Sequence, residues 1–489
     1  MFQAGDIPDA AAKREQSACT SRRVTASSCR FATTPEERMS TLALVTALST
    51  MLAASPAPEL PVETYTLDNG LTVLMSQDDR LPVVAVEVRY LVGSAHEVAG
   101  KSGFAHLFEH LMFQGSKSFD NEYFAPFEPI GARVNGTTNT DRTNYYEQVP
   151  SNYLELALWM ESDRMGGLLP VLTKEKLDNQ RDVVKNERRQ RYENRPYGYA
   201  FKYLQNLLYP EGHPYQHTTI GSHEDLTAAS LDDVRGFFKT YYAPKNAVLT
   251  VVGDFDKGSA KALIEKYFGG LEAGKRAPKP KAEPWVLAED IVRTEIDTKV
   301  KLPKVYLAWH TPALYADGDA AMDILAGVLT QGKTSRLYQP LVYEKKLATD
   351  VSAFQLSRHL GSFFIVEATA APGVEIETLT TALKETLTAA LTTAPNAAEM
   401  TRVVNGYRKG FFAQLEDVLS RAQLLSTYYH IGGTADFLGK DLGRYLALTP
   451  EVVLSAAKTW ISDAKHVELA IVGPAKTDAP KAPEQKETP

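Results

Sequence analysis

Cysteine is nearly absent from this chain, and what little there is lies at one end. Cys19 and Cys29 are the only two in 489 residues, so nothing beyond residue 29 can form a disulfide or offer a thiolate to a metal. Any metal held by the body of the chain must therefore use His and carboxylates. Strong charge of one sign is missing too: the net charge of −7 gives no reason to expect nucleic acid as a partner. Long hydrophobic runs are also lacking. The longest uncharged apolar stretch opens at Met39 and reaches about Ala54, which suits a secretory leader and is too short to span a bilayer.

These absences leave an ordinary apolar fraction of 44% spread over a chain long enough for two or more domains. Residues 1–38 are Ala/Ser/Arg-rich and aperiodic, and read as a disordered extension. Residues 39–61 read as a signal peptide and short linker, with Arg38 the nearest preceding positive charge. The arrangement points to initiation at Met39 or to an unusually long leader. The expected location is periplasmic or secreted, with no stable membrane anchor. A mitochondrial transit peptide is the alternative, and Asp6, Asp9 and Glu15 count against it.

Glycine and proline are also missing from Phe104-Ala105-His106-Leu107-Phe108-Glu109-His110-Leu111-Met112-Phe113, which therefore reads as helix. On a helix, positions i, i+3 and i+4 share a face, so His106, Glu109 and His110 project together. Two imidazoles one turn apart can hold one Zn²⁺, and a carboxylate beside them can hold a water. The order His-x-x-Glu-His is that of the inverted zincins. The alternative, a buried helix that happens to carry these residues, would bury three ionisable groups without a partner, which is costly.

Around that helix the chain alternates strand and helix signals. Thr64 to Leu74 is a hairpin with Asn69-Gly70 at its turn, and Val84 to Tyr90 alternates as a strand with one face buried. Arg133 to Tyr146 reads as two paired strands. Lys174 to Glu193 is a charged helix whose inward side is defined by Leu177, Val183 and Val184. Glu187 lies on that same side, where it wants a cation; a metal, Arg188 or Arg191 could each supply one. Residues 274–284 are a Pro/Lys linker, beyond which the pattern restarts. Leu231 to Asp254 is matched by Glu451 to Pro474, and Val86 to Tyr90 by Val305 to Trp309. The expected fold is α+β, with two homologous domains from an internal duplication, at 62–273 and 285–474, each an antiparallel-rich sheet packed with helices. The second copy lacks the zinc motif, with Asp323, Ala326 and Gly327 standing roughly where His106, Glu109 and His110 stand in the first. Residues 475–489 read as a disordered tail.

The chain resembles the pitrilysin/insulinase family of zinc metallopeptidases, and within it the single-length bacterial relatives of mitochondrial processing peptidase. The resemblance rests on His106-x-x-Glu109-His110, on Asn186-Glu187 with Asn194-Arg195-Pro196-Tyr197-Gly198, and on Thr143-Asn144-Tyr145-Tyr146. In that family a Glu some seventy-odd residues after the second His completes the ligand set, and Glu187 fits. The resemblance implies a zinc endopeptidase with one Zn²⁺ on His106, His110 and Glu187, and Glu109 as the catalytic base. It implies an extended peptide substrate laid along the strand at Asn135-Gly136. Two departures stand out. Gln180 occupies the place, seven residues before Glu187, where the family often has a second acidic residue near the metal. An Arg and Tyr that grip substrate in active members are replaced by Val342 and Thr349, while Arg336 and Tyr343 lie too early to stand in. A heterodimer is therefore expected, in which a homologous subunit supplies the Arg/Tyr pair. A non-catalytic scaffold subunit is one alternative. Another is nucleotide binding through Gly327 to Thr334, which spells GxxxxGKT but needs a strand directly before it. His213 and His217 are one turn apart in spacing, but Pro214 and the flanking glycines place them in a loop rather than at a second metal.

Overall fold

The computed structural model describes residues 60–474 apart from Pro284, so the expected leader, N-terminal extension and C-terminal tail lie outside the described residues. Two sheets organise the chain. The first contains β1 (Glu63–Thr66), β2 (Thr72–Gln77), β3 (Val83–Tyr90), β4 (Arg133–Thr138), β5 (Thr143–Pro150) and β6 (Ala247–Gly253) in the order β1-β2-β6-β3-β5-β4. Its helices are α1 (Phe104–Leu111), α2 (Leu154–Val171), α3 (Lys174–Arg188), α4 (Ala200–Leu208), α5 (His223–Ala228), α6 (Leu231–Tyr241) and α7 (Lys257–Phe268). The second sheet contains β7 (Ile291–Ile296), β8 (Lys304–Thr311), β9 (Ala348–Leu356), β10 (Ser362–Ala370) and β11 (Val467–Val472) in the order β7-β11-β8-β10-β9. Its helices are α8 (Asp319–Thr330), α9 (Ile376–Ala390), α10 (Ala397–Glu416), α11 (Val418–Thr427), α12 (Leu438–Leu446) and α13 (Pro450–Ala457).

The duplication read from the sequence is visible in the pairing. β2 runs parallel to β6, and every further neighbour in that sheet is antiparallel. β7 likewise runs parallel to β11, followed by antiparallel β8, β10 and β9. The order strand, helix, hairpin, helix, helix also recurs: β3-α1-β4-β5-α2-α3 in the first lobe and β8-α8-β9-β10-α9-α10 in the second. The fold is thus α+β with two homologous halves, each built on its own apolar core.

Local sequence explains the elements that frame the site. Gly70 takes φ +88° at the tip of the β1–β2 hairpin, a conformation that L side chains seldom adopt. β3 and β6 are central and buried on both faces, which accounts for their Val-rich composition. The expected inward side of α3 is partly corrected: Leu177 and Val184 are buried, but Val183 is 41% exposed and faces solvent. Counting helical positions from valines alone rotates the apolar stripe too far. Among the described residues no helix is long and apolar enough to cross a membrane.

Candidate metal centre

Helix α1 begins at Gly103, whose φ of +89° turns the chain sharply into the first turn. Glu97 fixes that turn: its carboxylate accepts from the N–H groups of Gly103 and Ala105, both at 2.8 Å. His217 holds the same carboxylate at 2.9 Å, which is how one of the loop histidines is used. The other, His213, accepts from the Tyr215 N–H at 3.0 Å and stacks on Tyr209. Phe104, Leu107, Phe108 and Leu111 bury the opposite face of α1, with Phe108 stacked on Phe237 and Tyr242. That packing orients the polar face of α1 toward α3.

Helix α3 is capped by Thr173, whose hydroxyl accepts from the Lys176 N–H at 3.2 Å. It is clamped along its length by Arg181, which donates to the Ala229 carbonyl, and by Arg188, which donates to the Gly221 carbonyl. Glu187 thereby meets the α1 histidines. Its Oε2 lies 3.2 Å from His110 Nε2 and 3.6 Å from His106 Nε2. Three donors at about 2.0–2.1 Å from one tetrahedral zinc ion stand roughly 3.3 Å apart, so these spacings suit a shared ion. His106, His110 and Glu187 are the one cluster of three such ligands among the described residues. The competing ion pair exists as well, but on the other oxygen: Arg191 reaches Glu187 Oε1 at 2.8 Å. Arg188 instead pairs with Glu193.

Protonation favours ligation. Burial, then the neighbouring His110, pushes His106 down to about 4, so its imidazole is neutral at pH 7. Burial pushes the Glu187 carboxyl up, but His110, His106 and Arg191 outweigh it and hold the group below its ordinary value. A neutral His106 imidazole and an anionic Glu187 carboxylate thus face His110 Nε2, a nitrogen and oxygen donor set that fits Zn²⁺. Among the described residues the buried His106 Nδ1 meets no hydrogen-bond partner, and packing orients that ring.

Glu109 points beside this cluster without joining it. Its Oε2 accepts from Thr138 Oγ1 at 2.5 Å. Burial raises its carboxyl above the ordinary value, an effect that Thr138 and His110 partly offset. Glu109, His110, Phe113, Phe124, Asn135 and Gln180 line a cleft of about 250 Å³. Asn135 and Gly136 lie on β4, the edge strand of the first sheet. A side chain at Gly136 would press within 3.0–3.1 Å of the Tyr145 and Phe113 rings, so the glycine lets the strand approach the helix. Thr138 and Glu97 are the site residues that motif reading misses. Neither carries a local signature, and both act across contacts that only the fold creates.

The sequence alternatives elsewhere fare differently. Gly327 lies inside α8, where an added Cβ would come within 2.4 Å of Val403 on α10, and the preceding strand ends at Thr311. No strand-to-loop phosphate cradle exists there, so the nucleotide-binding reading fails. Arg336 is consumed by Glu399 and by the carbonyls of Ala390, Thr393 and Ala394, while Tyr343 is 74% exposed.

The family model described as insulinase, peptidase family M16, matches residues 72–219, and that of the peptidase M16 inactive domain matches 228–407. The zinc protease PqqE of Helicobacter pylori is 32% identical over 397 residues, covering 80% of this chain and 88% of the relative. The uncharacterized zinc protease YmxG of Bacillus subtilis is 27% identical over 331 residues, covering 67% and 78%. A crystal structure of a protease from Helicobacter pylori superposes with a TM-score of 0.79 at 28% identity, over 84% of this chain and 99% of the other. With both halves matched in order and the His106, His110 and Glu187 donors brought together, the chain belongs to the insulinase family, peptidase family M16.

Proposed function

We propose that this chain is a zinc-dependent endopeptidase that cuts extended peptides or unfolded proteins, and that it is the zinc-bearing subunit of a heterodimer exported to the periplasm or secreted. The observation that carries the proposal is the approach of Glu187 Oε2 to both imidazole Nε2 atoms, with Glu109 alongside. When bound, one zinc ion supplies Lewis-acid polarisation of a peptide carbonyl and acidifies a water. Glu109 takes the proton of the attacking water and hands it to the leaving amine. Its raised affinity for a proton suits both halves of that transfer. Thr138 holds the carboxylate toward the cleft. Asn135 and Gly136 offer the free edge of β4 to an extended backbone, which reads main chain more than side chain. Gln180 borders the cleft as a neutral residue, leaving Glu187 as the anion of the set.

Val342 and Thr349 stand where an Arg and Tyr would grip substrate, and the engagement of Arg336 leaves it unable to substitute. That deficit is the reason for assigning a homologous partner, and it also favours a second reading, a scaffold subunit without catalysis of its own. Zinc content together with casein hydrolysis, measured with and without co-purified homologous subunits, separates them. One zinc per chain and partner-dependent, chelator-sensitive hydrolysis supports the peptidase. Stoichiometric zinc without hydrolysis in any combination favours the scaffold, and a chain that takes up no zinc refutes the metal centre.

A further inference from the structure

The two sheets differ at one edge. In the first, β2 is covered on its outer side by β1, antiparallel from Glu63 opposite Met75 to Thr66 opposite Thr72. In the second, β7 takes the place of β2, and among the described residues nothing pairs with its outer side. The Ile291 N–H donates to the His466 carbonyl and the Asp297 N–H to the Val472 carbonyl. Odd-numbered residues therefore turn their backbone toward β11. By the two-residue alternation of a strand, the N–H and C=O groups of Val292, Thr294 and Ile296 point away from the sheet. The side chains of Val292 and Ile296 share one face and are 68% and 69% exposed. Natural proteins seldom leave such an edge apolar and open.

The sequence of β7, Ile291-Val292-Arg293-Thr294-Glu295-Ile296, mirrors itself about Thr294. Against an antiparallel copy with Thr294 opposite Thr294, Val292 faces Ile296 twice and Arg293 faces Glu295 twice. The outward-pointing residues then form the hydrogen-bonded pairs that an antiparallel ladder requires. A slip of one residue would set outward groups against inward ones and make no ladder. A slip of two, in either direction, would set Arg293 against Arg293 or Glu295 against Glu295. Of these registers, the one centred on Thr294 satisfies both backbone and charge over the whole strand. We propose that β7 is a self-association edge, through which two copies of this chain join their five-stranded sheets across a two-fold axis at Thr294. The contact is independent of the zinc site and of any subunit that completes it. An edge of six residues buries little area, so the association is weak and concentration-dependent.

The test is sedimentation equilibrium on the full chain from about 1 to 200 μM, a range chosen for a small interface. Arg293→Glu should raise the dissociation constant about tenfold or more, because it sets like charges opposite each other twice. Arg293→Glu combined with Glu295→Arg should restore it. In a Cys19→Ser/Cys29→Ser background, Thr294→Cys should give an oxidised dimer, since hydrogen-bonded pairs place Cα atoms about 5.5 Å apart, within disulfide reach. Val292→Cys, opposite Ile296, should not. A chain that stays monomeric throughout, a dimer indifferent to Arg293→Glu, or Arg293→Glu blocking only assembly with a homologous subunit would each overturn the proposal.

Discussion

Replacing Glu109 with Gln isolates the proton-transfer role from metal binding. The substitution keeps the side chain's shape and an oxygen able to accept from Thr138 Oγ1, which lies 2.5 Å from the present carboxylate. It touches none of the three donors that approach one another, His106, His110 and Glu187. What disappears is the capacity to hold a proton and release it. A positioned general base contributes about 10²–10⁴-fold, or roughly 3–5 kcal/mol of barrier, so kcat on a casein-type substrate should fall by that factor. Zinc by mass spectrometry should stay at one per chain. A companion change, Thr138→Val, fixes the identity of the ionisation. Burial already raises the Glu109 carboxyl, and the Thr138 hydroxyl opposes that rise by favouring the charged form. Removing the hydroxyl lets the carboxyl rise further, so the acid limb of kcat/KM should move to higher pH by about one unit, the worth of one hydrogen bond to a charged group. If Glu109→Gln sheds zinc, Glu109 is structural. If Thr138→Val leaves the acid limb in place, some other group sets it, and the assignment of the base fails.

Arg164 is the cation of a buried triad, bonded to Glu161 and Glu147 and held 4.1 and 4.2 Å from the Tyr123 and Tyr145 ring centres. Arg164→Met should lower unfolding free energy in urea by about 3–5 kcal/mol, because two carboxyls lose their partner; a loss below about 1 kcal/mol would refute that account. Gly103→Ala forces a Cβ to within 2.6 Å of the Ile220 carbonyl at φ +89°, so it should tilt the start of α1 and weaken zinc retention against a chelator. Unchanged retention would show that the cap does not position the histidines. Asp78 links the lobes through Arg421 at 2.7 Å; Arg80 first, and then Arg421, holds its carboxyl well below the ordinary range against the push of burial. A depressed folded value gives stability that is present above the unfolded value near 4 and lost as pH falls through the folded one. Asp78→Asn should therefore cost about 1–3 kcal/mol at pH 7, with the deficit shrinking below about pH 4, as thermal melts across pH would report.

Much of the frame was legible because its signals are local. The Asn69-Gly70 hairpin, the paired strands from Arg133 to Tyr146 and the second copy's Val305 to Trp309 strand all stand where the pattern placed them. The α1 motif was legible because helical spacing alone puts His106, Glu109 and His110 on one side. Glu187 needed more. Its inward position follows from Val184, but Val183 misleads, and three cations were available to it until the fold chose two imidazoles for one oxygen and Arg191 for the other. Glu97 and Thr138 were invisible. Their partners lie across a turn of left-handed backbone and across a sheet-to-helix contact, and no periodicity encodes either. The alignment of the two copies also slips. Counted from the left-handed caps Gly103 and Gly318, the counterparts of His106, Glu109 and His110 are Ala321, Ile324 and Leu325, two residues earlier than sequence matching gave.

That corrected register explains what the second lobe does with the same pair of helices. α1 and α3 meet along a seam where three donor atoms, from His106, His110 and Glu187, approach one another. Their counterparts α8 and α10 meet along a seam closed by apolar contact, with Val403 seated on Gly327. Ala321, Ile324 and Leu325 are all buried in that core. The polar residues of α8 are satisfied inside the lobe, Asp319 by Arg444 at 2.9 Å and Asp323 by the Tyr445 hydroxyl at 2.6 Å. Gly327 is therefore a helix-packing residue, and its place in a phosphate-loop pattern follows from close approach, not from chemistry. A seam packed shut can spare no donor for an ion, whereas the seam between α1 and α3 keeps the His110 and His106 Nε2 atoms 3.2 and 3.6 Å from Glu187 Oε2, spacings that suit a shared cation. Of two copies of one architecture, the first alone brings three such donors together among the described residues.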